Sequence, residues 1–262
     1  MHKSRRQFGF SLIETMLAAG ILGVGLVLIA MVFPVGIKLT GTVTERSIGA
    51  IAADEAFAKI QMYGLPDLSV WPVTDPWNFP HTESVDYLWL LRVKYQEFEI
   101  LRDWPEFFYP SIETQGVQRH YHWSALCRAV SENQVQVTVF VSRRAAPHIR
   151  YYGWDGGEIT AGHDWPSPVP VPVDVASARE LIIAPEDSEL FSNDATIVAD
   201  HDGRIYRVLE FKASNGIRDT LVLNDDWQPG SQTVWVVPPG IGSSRNPVVT
   251  VRQKVLPIQP QP

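Results

Sequence analysis

The sequence predicts an α+β protein. A long N-terminal helix packs on an antiparallel β-sheet, and a small all-β unit of barrel or sandwich type follows. Three observations predict this. Met16 to Ile37 is an apolar run without a charged residue. Two alternating segments, Arg119–Val130 and Gln134–Arg143, flank the turn Ser131-Glu132-Asn133. Short β-type segments separated by Asp, Asn and Gly then follow a Gly- and Pro-rich stretch.

The apolar run comes first. Its roughly 22 residues, at 1.5 Å each, span a hydrocarbon core of about 30 Å. Ahead of it stand His2, Lys3, Arg5 and Arg6, and then Gly9-Phe10-Ser11-Leu12-Ile13-Glu14. A secretory signal has a shorter apolar core and is cut after it. Here the plausible cut lies before the run, so the apolar segment stays with the mature chain. Lys3, Arg5 and Arg6 stay cytoplasmic, which places the C-terminal part across the membrane. Glu14 is a carboxylate at the start of an apolar span. That is costly in lipid, so Glu14 is a functional candidate that needs a partner.

This segment resembles the N-terminus of type IV prepilins and of type II secretion pseudopilins. The resemblance implies a leader ending in Gly9, cleavage by a prepilin peptidase between Gly9 and Phe10, and N-methylation of Phe10. Glu14 is then the fifth mature residue. The family role carried to it is pairing with the N-terminal amine of a neighbouring subunit during assembly. The implied partners are the peptidase, other pilin or pseudopilin subunits, an inner-membrane assembly platform and membrane lipid. The implied location is a single pass through the inner membrane, with the C-terminal part periplasmic or on a filament surface. The implied protein is a minor pilin-like subunit and not an enzyme.

Lys38 to Tyr63 continues the helix, and Gly64 and Pro66 stop it. Leu39, Val43, Ile48, Ile51, Phe57 and Ile60, interleaved with charges, predict an amphipathic face on a globular head. Pro34 should kink or locally melt the helix. Residues 65–117 are rich in Pro and Trp, including Trp71, Trp77, Trp89 and Trp104. They are read as loops anchored on a core. Val85 to Leu101 fits a strand or a short helix.

In the hairpin, Tyr121, Trp123, Ala125, Cys127 and Ala129 share one face. Val135, Val137, Val139 and Val141 share the matching face of the second strand. These faces can cover the long helix, and the opposite face is mostly polar. Ala145 to Val175 reads as a connection, because the alternating prolines of 166–172 favour extended chain and cannot join a central sheet. Candidate strands beyond it are Leu181–Ala184, Ala195–Ala199, Arg204–Phe211, Thr220–Leu223, Thr233–Val237 and Val248–Val255. Asp202-Gly203 is a hairpin turn. The organisation is therefore a leader 1–9, a membrane or filament-core helix 10–37, its amphipathic continuation 38–63, a head 64–144, a linker 145–175 and a β unit 176–262.

Chemistry is sparse. The chain has 262 residues, a formal charge of −7 and one cysteine. Removing Lys3, Arg5 and Arg6 from the 22 basic residues leaves 19 against 29 acidic ones, about −10. Nucleic acid is not an expected partner of so acidic a chain. Cys127 has no intrachain disulfide partner and reads as a small buried hydrophobe. His120 and His122 share a strand face without an identifiable third zinc ligand. Asp194, Asp200, Asp202, Asn224, Asp225 and Asp226 are ligand types suited to calcium, but they lack the EF-hand spacing. No cofactor is therefore assigned, and calcium stays open. The alternative reading is a membrane-anchored periplasmic binding module with a C-terminal β domain.

Overall fold

The computed structural model describes residues 11–73, 80–81, 83–95, 107–110, 120–154, 156–213, 218–228, 230 and 232–258. Two compact units result, Met1–Ser47 and Ile48–Pro262. Helix α1, Leu12–Tyr63, contributes to both and runs through Pro34 without a break.

The described part of the first unit is helical and apolar nearly all round. Leu12 is 78% exposed, Phe33 65% and Ile37 70%.

In the second unit the remaining elements are β1 (Val85–Asp86), α2 (Tyr87–Tyr95), β2 (Phe108–Tyr109), β3 (Tyr121–Ser131), β4 (Gln134–Arg143), β5 (Tyr151–Trp154), β6 (Ile159–His163), β7 (Val169–Pro172), β8 (Asp174–Ser177), β9 (Glu180–Ile183), β10 (Thr196–Ala199), β11 (Ile205–Lys212), β12 (Asp219–Leu223), β13 (Thr233–Val236) and β14 (Val248–Pro257). The described part of the Val85 to Leu101 stretch, residues 85–95, is thus a two-residue strand followed by a helix, and residues 96–101 lie outside the described residues. Asp86 caps that helix by accepting the Leu88 N–H at 3.1 Å.

Among the described residues, the first sheet has the order β1-β3-β4-β14, with β2 also on β3, and all its pairs are antiparallel. The last strand was expected within the C-terminal β unit. It pairs instead with β4, from Val248 opposite Ser142 to Pro257 opposite Gln134. The second sheet runs β7-β13-β10-β11-β12-β9-β8. The proline-containing β7 lies at its end and bonds β13 alone, as strand prolines require. So the 145–175 stretch supplies the β5–β6 hairpin as well as β7 and β8.

Alternation assigns the cores. Trp123, Ala125, Cys127 and Ala129, with Val135, Val137, Val139 and Val141, pack with Ala52, Ala53, Ala56, Phe57 and Ile60 of α1 and with Leu90 and Leu91 of α2. This is the face the sequence predicts for the sheet. The helix face differs from expectation. Leu39, Val43 and Ile51 are exposed, and burial begins at Gly49. A Cβ on Gly49 would come within 2.9 Å of Thr250 Cγ2 on β14, so small residues set how close the helix lies to the sheet. Gly64, at φ +69°, ends α1 with its N–H on the Ile60 carbonyl at 2.9 Å. Lys94 Nζ donates to the Tyr63 carbonyl at 2.6 Å.

The polar face of β3–β4 is not a solvated surface. Leu126 and Phe140 pack with Val198, Trp235 and Val237 of the second sheet. Around them is a clamp centred on Arg128, which is 8% exposed. Its guanidinium donates to Gln136 Oε1 and to the carbonyls of His81 (3.1 Å), His201 (3.2 Å) and Asp202 (2.9 Å). Burial pulls its pKa down, opposed by Asp202 and Asp200, yet an arginine keeps its proton. Gln253 Nε2 donates to the Gly203 carbonyl at 2.8 Å. Asp200 Oδ1 accepts from Ser84 N–H at 2.7 Å and from Trp235 Nε1–H at 2.8 Å. Asp202-Gly203 forms the β10–β11 turn, as the sequence predicts, with Gly203 at φ +68°. The second sheet keeps its own core on its other face, including Val171, Leu181, Ile197, Val208, Leu221 and Val234.

Two stability tests follow from these contacts. Arg128→Ala strands several acceptors at once, so it should cost about 2–4 kcal/mol in denaturant unfolding of the full chain. A loss within experimental error would remove the clamp from its structural role. The second concerns Asp86, whose carboxyl burial pushes up to about 6, against the Leu88 N–H and the Arg92 charge. An unfolded aspartate titrates near 3.9, so the native state binds the proton more tightly between the two values. The stability from this linkage is complete below about pH 4 and is lost as pH rises through about 6. Asp86→Asn can keep the Leu88 acceptor without titrating. Its stability relative to wild type should rise over that window, by up to about 3 kcal/mol at pH 7.5. A pH-independent difference would place the Asp86 carboxyl in an ordinary environment.

Candidate functional site

The N-terminal end of α1 is built by local sequence. Ser11 Oγ accepts from the Ile13 N–H at 3.3 Å, and the Ser11 carbonyl accepts from Glu14 N–H at 3.0 Å and Thr15 N–H at 3.2 Å. Ser11 is therefore the N-cap, and Glu14 stands three residues on, where a negative charge favours the helix N-terminus. The pattern Ser11-x-x-Glu14 is a capping signature that the sequence reading passed over in favour of membrane depth alone. It places the Glu14 carboxylate in the first turn of its own helix, where the helix dipole favours a negative charge. Lys3, Arg5, Arg6, Gly9 and Phe10 lie outside the described residues.

Behind Glu14 the helix is long and apolar enough to cross a membrane, with a mean hydropathy of 2.6 in its most apolar stretch and none of that stretch buried. Its hydroxyls do not interrupt this surface. Thr15 Oγ1 donates to the Leu12 carbonyl at 2.8 Å, Thr40 Oγ1 to Gly36 at 2.9 Å, Thr44 Oγ1 to Thr40 at 2.9 Å and Ser47 Oγ to Val43 at 3.0 Å. Satisfied on their own backbone, they need no water.

The other residues singled out from sequence are dispersed. His120 is exposed, whereas His122 is stacked on Trp165, with centroids 5.8 Å apart. Asp194 pairs with Arg207 at 2.9 Å and Asp226 with Arg179 at 2.6 Å. Asp202 lies 3.2 Å from Arg204, and Asn224 Oδ1 accepts from the Arg207 N–H at 2.7 Å. These groups build turns and strand ends. Among the described residues, no three His, Cys, Asp or Glu side chains converge to hold a metal. Cys127 is buried, and burial and then the Asp86 charge push its thiol pKa up, so it is an inert core residue.

A second site was not anticipated. A cavity of about 250 Å³ borders Asp86, Ser124, Trp123, Trp154 and Trp165. Trp154 and Trp165 come from the stretch read as a connection. The signal available in sequence was its aromatic content.

Comparison with known proteins yields one match. The family model for the prokaryotic N-terminal methylation motif matches residues 4–30. No curated protein and no solved structure matches the chain. The matched span holds Arg5, Arg6, Gly9, Phe10 and Glu14 and runs into the exposed apolar helix. It points to a structural subunit of pilin or pseudopilin type anchored by one membrane pass. Residues 4–30 of this chain are a prepilin-type cleavage and methylation segment.

Proposed function

We propose that the chain is a prepilin-like minor pilin or pseudopilin subunit. It is processed after Gly9, N-methylated at Phe10 and assembled into a type IV pilus or a type II secretion pseudopilus. Before assembly it sits in the inner membrane, with residues 48–262 on the periplasmic side. Its partners are the prepilin peptidase, the assembly platform and other subunits.

The observation that carries this reading is how far the apolar helix surface extends. Leu12 to Ile37 is about 39 Å of helix, already longer than a hydrocarbon core of about 30 Å. Beyond it Leu39 is still 61% exposed and Val43 63%. A membrane tether leaves such residues in water. A bundle of like helices covers them and exchanges lipid for other apolar side chains. In that bundle Glu14 meets the N-terminal amine of a neighbour, a pair strengthened by low dielectric.

Mass spectrometry of the native membrane-extracted protein should find a mature N-terminus at N-methylated Phe10. An intact leader, in cells with an active prepilin peptidase, would refute the processing. Glu14→Ala should insert and be cleaved, yet fall at least tenfold in sheared filament fractions. Glu14→Gln separates charge from capping, because it can still serve the helix end. Loss of assembly in both variants assigns the role to the charge, and rescue by Gln assigns it to the cap.

A further inference from the structure

One edge of β3 is shared by two short strands. β1 pairs with Leu126 and Cys127, and β2 pairs with Tyr121 and His122. Among the described residues, neither of these short strands pairs with Ser124 or Ala125 on that edge. The 250 Å³ cavity lies at this opening, bordered by Asp86 at the start of α2, Phe107 before β2 and the β5–β6 hairpin with the residues after it. Asp164, whose side chain is 54% exposed, marks the mouth.

The lining is amphipathic in a particular way. Ser124 is 8% exposed, and its Oγ makes no hydrogen bond among the described residues. A buried hydroxyl left unpaired calls for a ligand or water partner. Asp86, also 8% exposed, spends one carboxylate oxygen on the α2 cap. Half-buried Trp154 has Trp235 perpendicular to it at 5.4 Å, and Trp165 is fixed by Phe108 at 4.4 Å and by the Arg144 guanidinium at 4.7 Å. The aromatic walls are therefore positioned by their own contacts.

We propose that this cavity binds one pyranose ring of a neutral glycan. The volume lies below that of pockets for drug-sized ligands and suits a single ring. An aromatic wall meets the C–H face of a sugar, while Ser124 and Asp86 meet its hydroxyls. An anion is disfavoured by Asp86 and a cation by Arg92, both of which border the cavity, while Asp164 is already paired with Arg144 and Arg150. A wholly apolar ligand would leave the Ser124 hydroxyl unpaired. The site is independent of processing and assembly at the N-terminus.

The test is calorimetric titration of the full chain in a zwitterionic detergent without a sugar headgroup. The probes are glucose, galactose, mannose and N-acetylglucosamine, with methylammonium and inorganic phosphate as the charged comparisons. At least one sugar should bind saturably below about 20 mM, in the weak range expected of so small a ligand. Ser124→Val and Trp154→Leu should each weaken it at least tenfold. Saturable binding of methylammonium or phosphate in place of sugar, no saturable sugar binding, or unchanged affinity in Ser124→Val would overturn the proposal. Should Trp154→Leu fail to fold, the smaller change Ser124→Val decides.

Discussion

The second unit depends on a buried guanidinium. Arg128 sits on the side of β3 that faces the second sheet and binds carbonyls from two separate loops as well as Gln136. An arginine buried without acceptors would be strongly destabilising, so the 80–84 loop and the β10–β11 turn must stay where they are. Around this requirement the apolar contacts of Phe140 with Val198 and Trp235 acquire a single register. The first sheet thereby serves as the middle layer. Helices cover one face with apolar side chains, and the second sheet covers the other through a mixed apolar and polar contact.

That arrangement explains which parts were legible. Local periodicity marks elements, so α1, its stop at Gly64, β3, β4 and the short strands near 181, 197, 207, 221 and 235 were readable from the chain. Pairing between distant strands is not a local property. β14 alternates like any strand, and nothing in Val248–Pro257 names β4 as its partner more than 100 residues earlier. Likewise, Gln136, Thr138 and Ser142 mark a mostly polar face, and polarity in sequence does not reveal that this face is buried. Their partners, Arg128, Gln253 and the 200–203 turn, arrive from elsewhere.

The candidate sites divide in the same way. The methylation motif matched at residues 4–30 is contiguous, so its resemblance was legible in the sequence. The cavity draws on α2, β3 and the stretch after β5, and it lies where, among the described residues, no strand pairs with Ser124 on that edge of β3. Proline-rich sequence concealed it, because the alternating prolines suggested a spacer. In the fold they mark an edge strand, and the aromatic residues before them line the cavity.

Helix α1 resolves a conflict between two kinds of packing. Toward its own sheet it turns Gly49, Ala52, Ala53 and Ala56 as well as Phe57 and Ile60, and it leaves Leu39, Val43 and Ile51 exposed. A helix that had only its own sheet to cover would place its large side chains inward, where each buries the most area. Small inward residues bring the helix close to β14 and lock it by backbone proximity, as the Gly49–Thr250 distance shows. Leu39, Val43 and Ile51 are then left for a second apolar surface. Reading hydrophobicity by side-chain size therefore found Phe57 and Ile60 on the packed face but missed the small residues that share it with them.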